Sequence, residues 1–142
     1  MRISREVRTK KSVEKVFAYL SDFTTTTQWD PGTVVTVLVN GDGSVGTEYL
    51  NTSTFSGRQT QLTYIVKELV INQRISLRGE NKTVVATDTI TFQQIDGDTV
   101  VTYTAEFTFK GLAKIIAPFL KPAFTRLGDE AEGGMARALE DL

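Results

Sequence analysis

Residues 99–109, Thr-Val-Val-Thr-Tyr-Thr-Ala-Glu-Phe-Thr-Phe, alternate almost without fault. Val101, Tyr103, Ala105, Phe107 and Phe109 fall on one side, and Thr102, Thr104, Glu106 and Thr108 on the other. Successive side chains of a strand point to opposite faces, so the pattern fixes one apolar and one wet face. Six further stretches read as strands: 2–9, 33–39, 47–56, 60–69, 73–79 and 83–95. Turn residues divide them at Asn40-Gly41-Asp42-Gly43, Gly57-Arg58, Gly79-Glu80-Asn81 and Asp96-Gly97-Asp98. Many of the 21 threonines alternate with apolar residues. A β-branched polar side chain suits the solvated face of a half-buried strand.

Two short helices interrupt the strands early. Ser12 is placed to cap the first, and Val13, Val16, Phe17 and Leu20 follow at helical spacing for one buried face. Asp22 is placed to cap a second, which must stop before Pro31. Residues 112–140 read as one long helix, kinked in its first half by Pro118 and Pro122 and weakened by Gly128 and Gly133-Gly134. It is the only segment long enough to cover the apolar sheet face. The expected fold is α+β: a curved seven-stranded antiparallel sheet gripping a long C-terminal helix, with two short helices between strands 1 and 2. One domain spanning 1–142 is expected from the length.

With 16 basic and 17 acidic residues the net charge is -1, which favours neither nucleic acid nor an anionic membrane surface as partner. No apolar run approaches the roughly 20 residues of a membrane span, and the N-terminus carries no signal-peptide core, so a cytoplasmic protein is expected. The chain has no cysteine and no histidine. Disulfides, thiolate nucleophiles, Cys/His zinc sites and imidazole-based triads are thereby excluded. Proton transfer would fall to Asp, Glu, Lys or Tyr with a shifted pKa. This composition weighs against an enzyme, and no metal or cofactor is expected.

Val16-Phe17-x-x-Leu20-x-Asp22, then Trp29-Asp30-Pro31, Gly46-Thr47 opening the third strand, Thr102-x-Thr104, and Lys110-Gly111-Leu112 leading into a helix that ends Ala138-Leu139-Glu140 form a recurring pattern. It resembles the START-like helix-grip superfamily, in its polyketide cyclase/dehydrase (SRPBCC) branch, over essentially the whole chain. The resemblance implies a helix-grip fold around a cavity. It also implies a ligand among sterols, lipids, hormones or polyketides, which some members cyclise or dehydrate. No catalytic signature of the family can be carried onto residues of this sequence.

The candidate ligand-binding residues are Trp29, Tyr49, Tyr64, Leu77, Asp88, Ile90, Tyr103, Phe107, Ile116 and Leu120. Trp29 either stacks on ligand at the cavity rim or packs the short helices onto the sheet, and the second reading is preferred. Asp88 is the candidate catalytic residue. It falls on the inward side with Val84, Ala86, Ile90 and Phe92, where loss of hydration would raise its pKa into the range of a general acid or base. A bulge turning it to solvent, or a pair with Arg58, Arg74 or Arg78, is the structural alternative. The third strand offers either Tyr49, Asn51, Ser53 and Phe55 or the opposite set to the interior. Arg58 and Arg78 are read as solvated strand-end charges rather than carboxylate clamps. Leu112, Ile116, Phe119 and Leu120 are read as core packing, or as a mobile gate, with any exposed remnant a dimer contact between copies.

The leading functional expectation is binding of a small hydrophobic or amphipathic ligand, lipid-like or polyketide-like, in an enclosed apolar pocket between sheet and helix. A cyclase/dehydratase-type enzyme using Asp88 or a tyrosine is the alternative, and a non-enzymatic protein-interaction module the third reading.

Overall fold

The computed structural model describes residues 1–142. Strand β1 (Arg2–Thr9) leads into helix α1 (Val13–Ser21), a 3-10 turn (Phe23–Thr25) and helix α2 (Thr26–Trp29). Six strands follow: β2 (Thr33–Asn40), β3 (Glu48–Phe55), β4 (Arg58–Val70), β5 (Arg74–Glu80), β6 (Val84–Ile95) and β7 (Asp98–Phe109). The C-terminal arm comprises α3 (Ala113–Ile116), a 3-10 turn (Ala117–Leu120) and α4 (Lys121–Glu140). The strands form one antiparallel seven-stranded sheet in the order β1-β7-β6-β5-β4-β3-β2. Consecutive strands pair as hairpins, and the first strand closes on the last, with Ser4 opposite Thr104 and Val7 opposite Val101. This is the helix-grip fold.

Local chemistry accounts for the punctuation. Ser12 Oγ accepts from the Lys15 N–H at 3.3 Å, capping α1. The Asp22 carboxylate accepts from the Thr24 N–H at 3.1 Å and starts the second helical segment. Ser56 and Gly57, and again Asp96 and Gly97, all have positive φ, which gives the β3–β4 and β6–β7 hairpins tight turns matched to strand twist. Register shifts within β2 and near Val66 to Glu68 of β4 mark bulges, which bend strands and add twist.

The inner face runs across the sheet in register. Tyr49 lies opposite Tyr64, Tyr64 opposite Gly79, Leu77 opposite Asp88, and Asp88 opposite Ala105. Val16, Phe17, Leu20 and Phe23 close one end of this face, and Met135 and Leu139 of α4 lie over it, all buried. Full burial of side chains of that size contributes about 2 kcal/mol each.

The kinked first half expected of the long C-terminal helix is present: Pro118 and Pro122 each sit in the opening turn of a helical piece, where the missing N–H costs least. Two other expectations for the arm are corrected. Gly128 and Gly134 are close-approach positions rather than weak points. A Cβ on Gly128 would lie 2.5 Å from Ile3 Cγ2, and one on Gly134 would lie 1.9 Å from the Trp29 carbonyl oxygen. The backbone of α4 therefore rests directly on α2 and β1. Leu112, Ile116 and Phe119, expected in the core, are exposed. Their helical spacing reports a stripe but not which side of it meets the sheet.

Gly134→Ala should destabilise the fold by about 2–3 kcal/mol, because the obstructing atom belongs to backbone that cannot move without displacing Trp29. Gly133→Ala is the control, since its nearest neighbour is the flexible Arg137 side chain. Urea unfolding of the two variants at matched pH measures the difference.

Candidate functional site

Asp88 stands in the middle of β6 and is 4% exposed. Its Oδ2 accepts from the Tyr103 hydroxyl at 2.8 Å, its Oδ1 is buried outside hydrogen-bond geometry, and the Tyr64 hydroxyl is close enough to lower the carboxyl's pKa. Burial pushes its pKa up to about 7, against the opposing pull of the Tyr103 hydrogen bond. The arginine alternatives fall away: Arg74 pairs with Glu68, and Arg78 with Glu80. Burial first and the Asp88 carboxylate second hold the Tyr103 and Tyr64 hydroxyls well above the usual phenol range. Both tyrosines are therefore neutral donors at physiological pH.

Trp29 meets Tyr103 edge-on, ring centroids 5.4 Å apart. Its indole Nε1 is also buried without a partner. Next to Trp29, Asp30 accepts from the Gly32 N–H at 3.0 Å and the Thr33 hydroxyl at 3.0 Å, and burial raises its pKa. Tyr64 lies across Gly79, where a Cβ would come within 2.6 Å of the ring. The third-strand question resolves in favour of Tyr49 and Asn51, both buried. Asn51 Nδ2 donates to Thr36 Oγ1 at 2.8 Å and accepts at Oδ1 from Ser53 at 2.7 Å, making a satisfied polar ladder beside the apolar face.

Trp29, Tyr49, Tyr64, Leu77, Asp88 and Ile90 are thus brought together, but as a packed interior. The expected enclosed pocket at that point is corrected by the structure, since large aromatic side chains fill the middle of the grip. A concavity lies at its open end instead. It measures about 690 Å³ and is lined by Phe107, Phe109, Ile3 and Phe124, with Ala117 and Pro118 of the arm and Thr108 and Thr125 between them. Phe124 of α4 is buried with its ring tilted against Phe107 at 4.8 Å and Phe55 at 4.5 Å, between this concavity and the interior. The ionisable side chains on the wall, Arg2, Lys114 and Lys121, are all cationic, and the Met1 amine joins them. A second concavity, about 640 Å³, is polar and includes Tyr49, Asp22 and Asp42.

Of the ten residues expected to touch ligand, Phe107 lines the first concavity and Tyr49 the second. Ile116 and Leu120 line neither; Ile116 is 55% exposed and Leu120 half-buried, because the arm turns its apolar stripe outward here. Arg58 and Arg78 stay exposed, as expected. Phe109, Phe124, Lys114 and Lys121 were not singled out. Phe109 shares the alternation of Phe107, and the two lysines are seven residues apart, about two helical turns, which was the available signal. No three acidic side chains converge as a metal site would require.

Asp88 is opposite Ala105, two residues from Phe107, so it sits about 7 Å further along the same face than the pocket wall. A carboxyl titrating near neutrality with a free oxygen can give or take a proton from whatever reaches it.

A raised folded-state pKa means that the native protein holds the proton more tightly than the unfolded chain. The contribution is complete below the unfolded value of about 3.8 and is lost as pH rises through about 7. The lift corresponds to about 4 kcal/mol at most. Asp88→Asn should flatten that slope between pH 4 and pH 8 in denaturant titrations; parallel curves for variant and wild type would show that the carboxyl is not raised.

A family model described as polyketide cyclase / dehydrase and lipid transport matches residues 1–140. Among solved structures, the chain is similar to the Zhui aromatase/cyclase of a Streptomyces species, with TM-score 0.84, 12% identity, and coverage of 99% of this chain and 93% of that one. It is similar also to a START superfamily protein of Mycobacterium smegmatis, with TM-score 0.81, 13% identity, and coverage of 99% and 97%. A hypothetical protein of Helicobacter pylori gives TM-score 0.77, 15% identity, and coverage of 97% and 87%. Identities this low carry the fold alone. Comparison with curated proteins finds no match.

Proposed function

The chain belongs to the polyketide cyclase / dehydrase and lipid transport family, and we propose that within it this protein binds a small amphipathic ligand whose apolar body lies against Phe107, Phe109 and Phe124 and whose anionic head meets Lys114 and Lys121. The observation that carries this reading is the make-up of the open-end pocket: an aromatic wall whose only ionisable side chains are cations. A volume of about 690 Å³ suits a ligand of drug or fatty-acid size. The aromatic wall recognises shape, and the lysines select charge as flexible point donors.

Titration calorimetry with dodecanoate against dodecanol tests it. The carboxylate should bind more tightly than the alcohol, and Lys114→Ala with Lys121→Ala should remove that preference, a change of about 1 kcal/mol for solvated charges. Equal binding of acid and alcohol, or binding of neither, sinks the proposal.

A second reading rests on a different observation. Asp88 Oδ1 and Trp29 Nε1 are two buried polar atoms without partners, an acceptor and a donor in the same interior. Buried polar groups are rarely left so, and a ligand carbonyl or hydroxyl passing Phe124 would satisfy them. In that case Asp88 moves the proton in a cyclisation or dehydration, with Tyr103 orienting the carboxyl. Incubation with a synthetic poly-β-ketone, followed by mass spectrometry for loss of water, should show turnover that Asp88→Asn abolishes; turnover unchanged by that substitution removes the reading.

A further inference from the structure

Leu112, Ile115, Ile116 and Phe119 follow one another at i, i+3, i+4 and i+7, and they are 79%, 68%, 55% and 81% exposed. A helical stripe normally turns such residues inward. Here the arm is inverted: Lys114, Ala117, Pro118 and Lys121 face the pocket, and the large apolar side chains face outward. The stretch 107–128 contains Lys110, Lys114, Lys121 and Arg126 and not one Asp or Glu, in a chain whose net charge is -1. The acids nearest to it are Glu80, which binds Lys110, Glu106, which pairs with Arg2 at 3.7 Å, and Asp129, which pairs with Arg5 at 2.9 Å and is followed by Glu130. Lys114 and Lys121 are in no ion pair.

We infer that the α3 segment docks on an anionic lipid bilayer, burying Leu112, Ile115, Ile116 and Phe119 at the headgroup boundary with the pocket mouth directly behind them. Two observations select this occupant. The four side chains stand more than half exposed on a short helical segment and line neither concavity, so they suit a soft apolar layer better than a complementary wall. Its charge is of one sign, and lysines on the far side of an interfacial helix remain within about 10 Å of lipid phosphates, inside the Debye length. The other exposed apolar stretch makes the contrast: β2 carries Val34, Val35, Val37, Leu38 and Val39 but no charged residue, so nothing there identifies a partner. The balanced whole-chain charge hides this local asymmetry. Docking stands on the patch alone and holds whether or not the pocket takes a fatty acid.

The test is flotation of the full chain with vesicles of phosphatidylcholine, or of phosphatidylcholine with about one third phosphatidylserine. Binding should favour the anionic vesicles by at least tenfold and weaken as salt is raised, with about fivefold lost on Lys114→Ala. Phe119→Ser, at a solvent-exposed position, should weaken vesicle binding by tenfold or more while leaving dodecanoate binding at its wild-type level. Equal partition to neutral and anionic vesicles, no partition to either, or a Phe119→Ser variant that floats like the wild type overturns the inference. So does sedimentation showing that the patch is covered in a dimer which Phe119→Ser dissociates and vesicles do not displace.

Discussion

The contact between the α4 backbone at Gly134 and the carbonyl of Trp29 sets the geometry of everything else. No side chain separates the two elements, so the C-terminal half of the helix is held as close to α2 as backbone permits. Gly128 repeats the approach over Ile3 of β1, and nearer the prolines that restart the helix Phe124 is the bulky side chain between arm and sheet. The grip is therefore asymmetric: shut over Trp29, Tyr103 and Asp88, and open over Phe107 and Phe109. The pocket lies where the packing runs out.

The shut end is costly to build. A carboxyl oxygen and an indole N–H are buried outside hydrogen-bond geometry, with only the Tyr64 hydroxyl, besides that of Tyr103, close enough to the carboxyl to lower its pKa. Leu77 and Ile90 beside them show that an apolar residue fits this layer. The neighbouring Thr36–Asn51–Ser53 ladder shows how this sheet treats buried polar groups otherwise, with each accounted for by a short hydrogen bond. The contrast between the satisfied ladder and the unsatisfied pair singles out Asp88 and Trp29 more sharply than burial does.

Most of the fold was legible because it rests on periodicity. The alternation of β7 fixed the buried face, and the same parity carried across β6 to place Asp88 inside. The helix cap at Ser12 and the turn residues at Gly57 and Gly97 fall where local chemistry demands them. Failures came where the answer depends on relative placement of elements. Gly128 and Gly134 looked like weaknesses because propensity is a property of one helix, and the atoms that require them belong to β1 and α2. Leu112, Ile116 and Phe119 looked like core because a stripe has no sign until the helix is docked. The pocket wall joins Phe109 to Phe124 and Lys121, a meeting of strand and helix that no local pattern contains. The interior read as a cavity turned out to be filled, since Trp29 meets Tyr103 and Tyr64 meets Phe23 across it.

Pairing β1 with β7 joins residues about a hundred positions apart, Ser4 with Thr104. Contacts that distant form late, because the loop entropy is lost before the pairing rewards it. The six strands from β2 to β7 can assemble hairpin by hairpin as they emerge, whereas β1 waits for the last of them, and α4, which rests on β1, waits for both. During that interval the uncharged valines of β2 and the apolar inner face are open to other chains, the condition under which folding competes with aggregation. The hazard is greatest once β7 is made and before α4 is in place, and the helix removes it by lying down on β1.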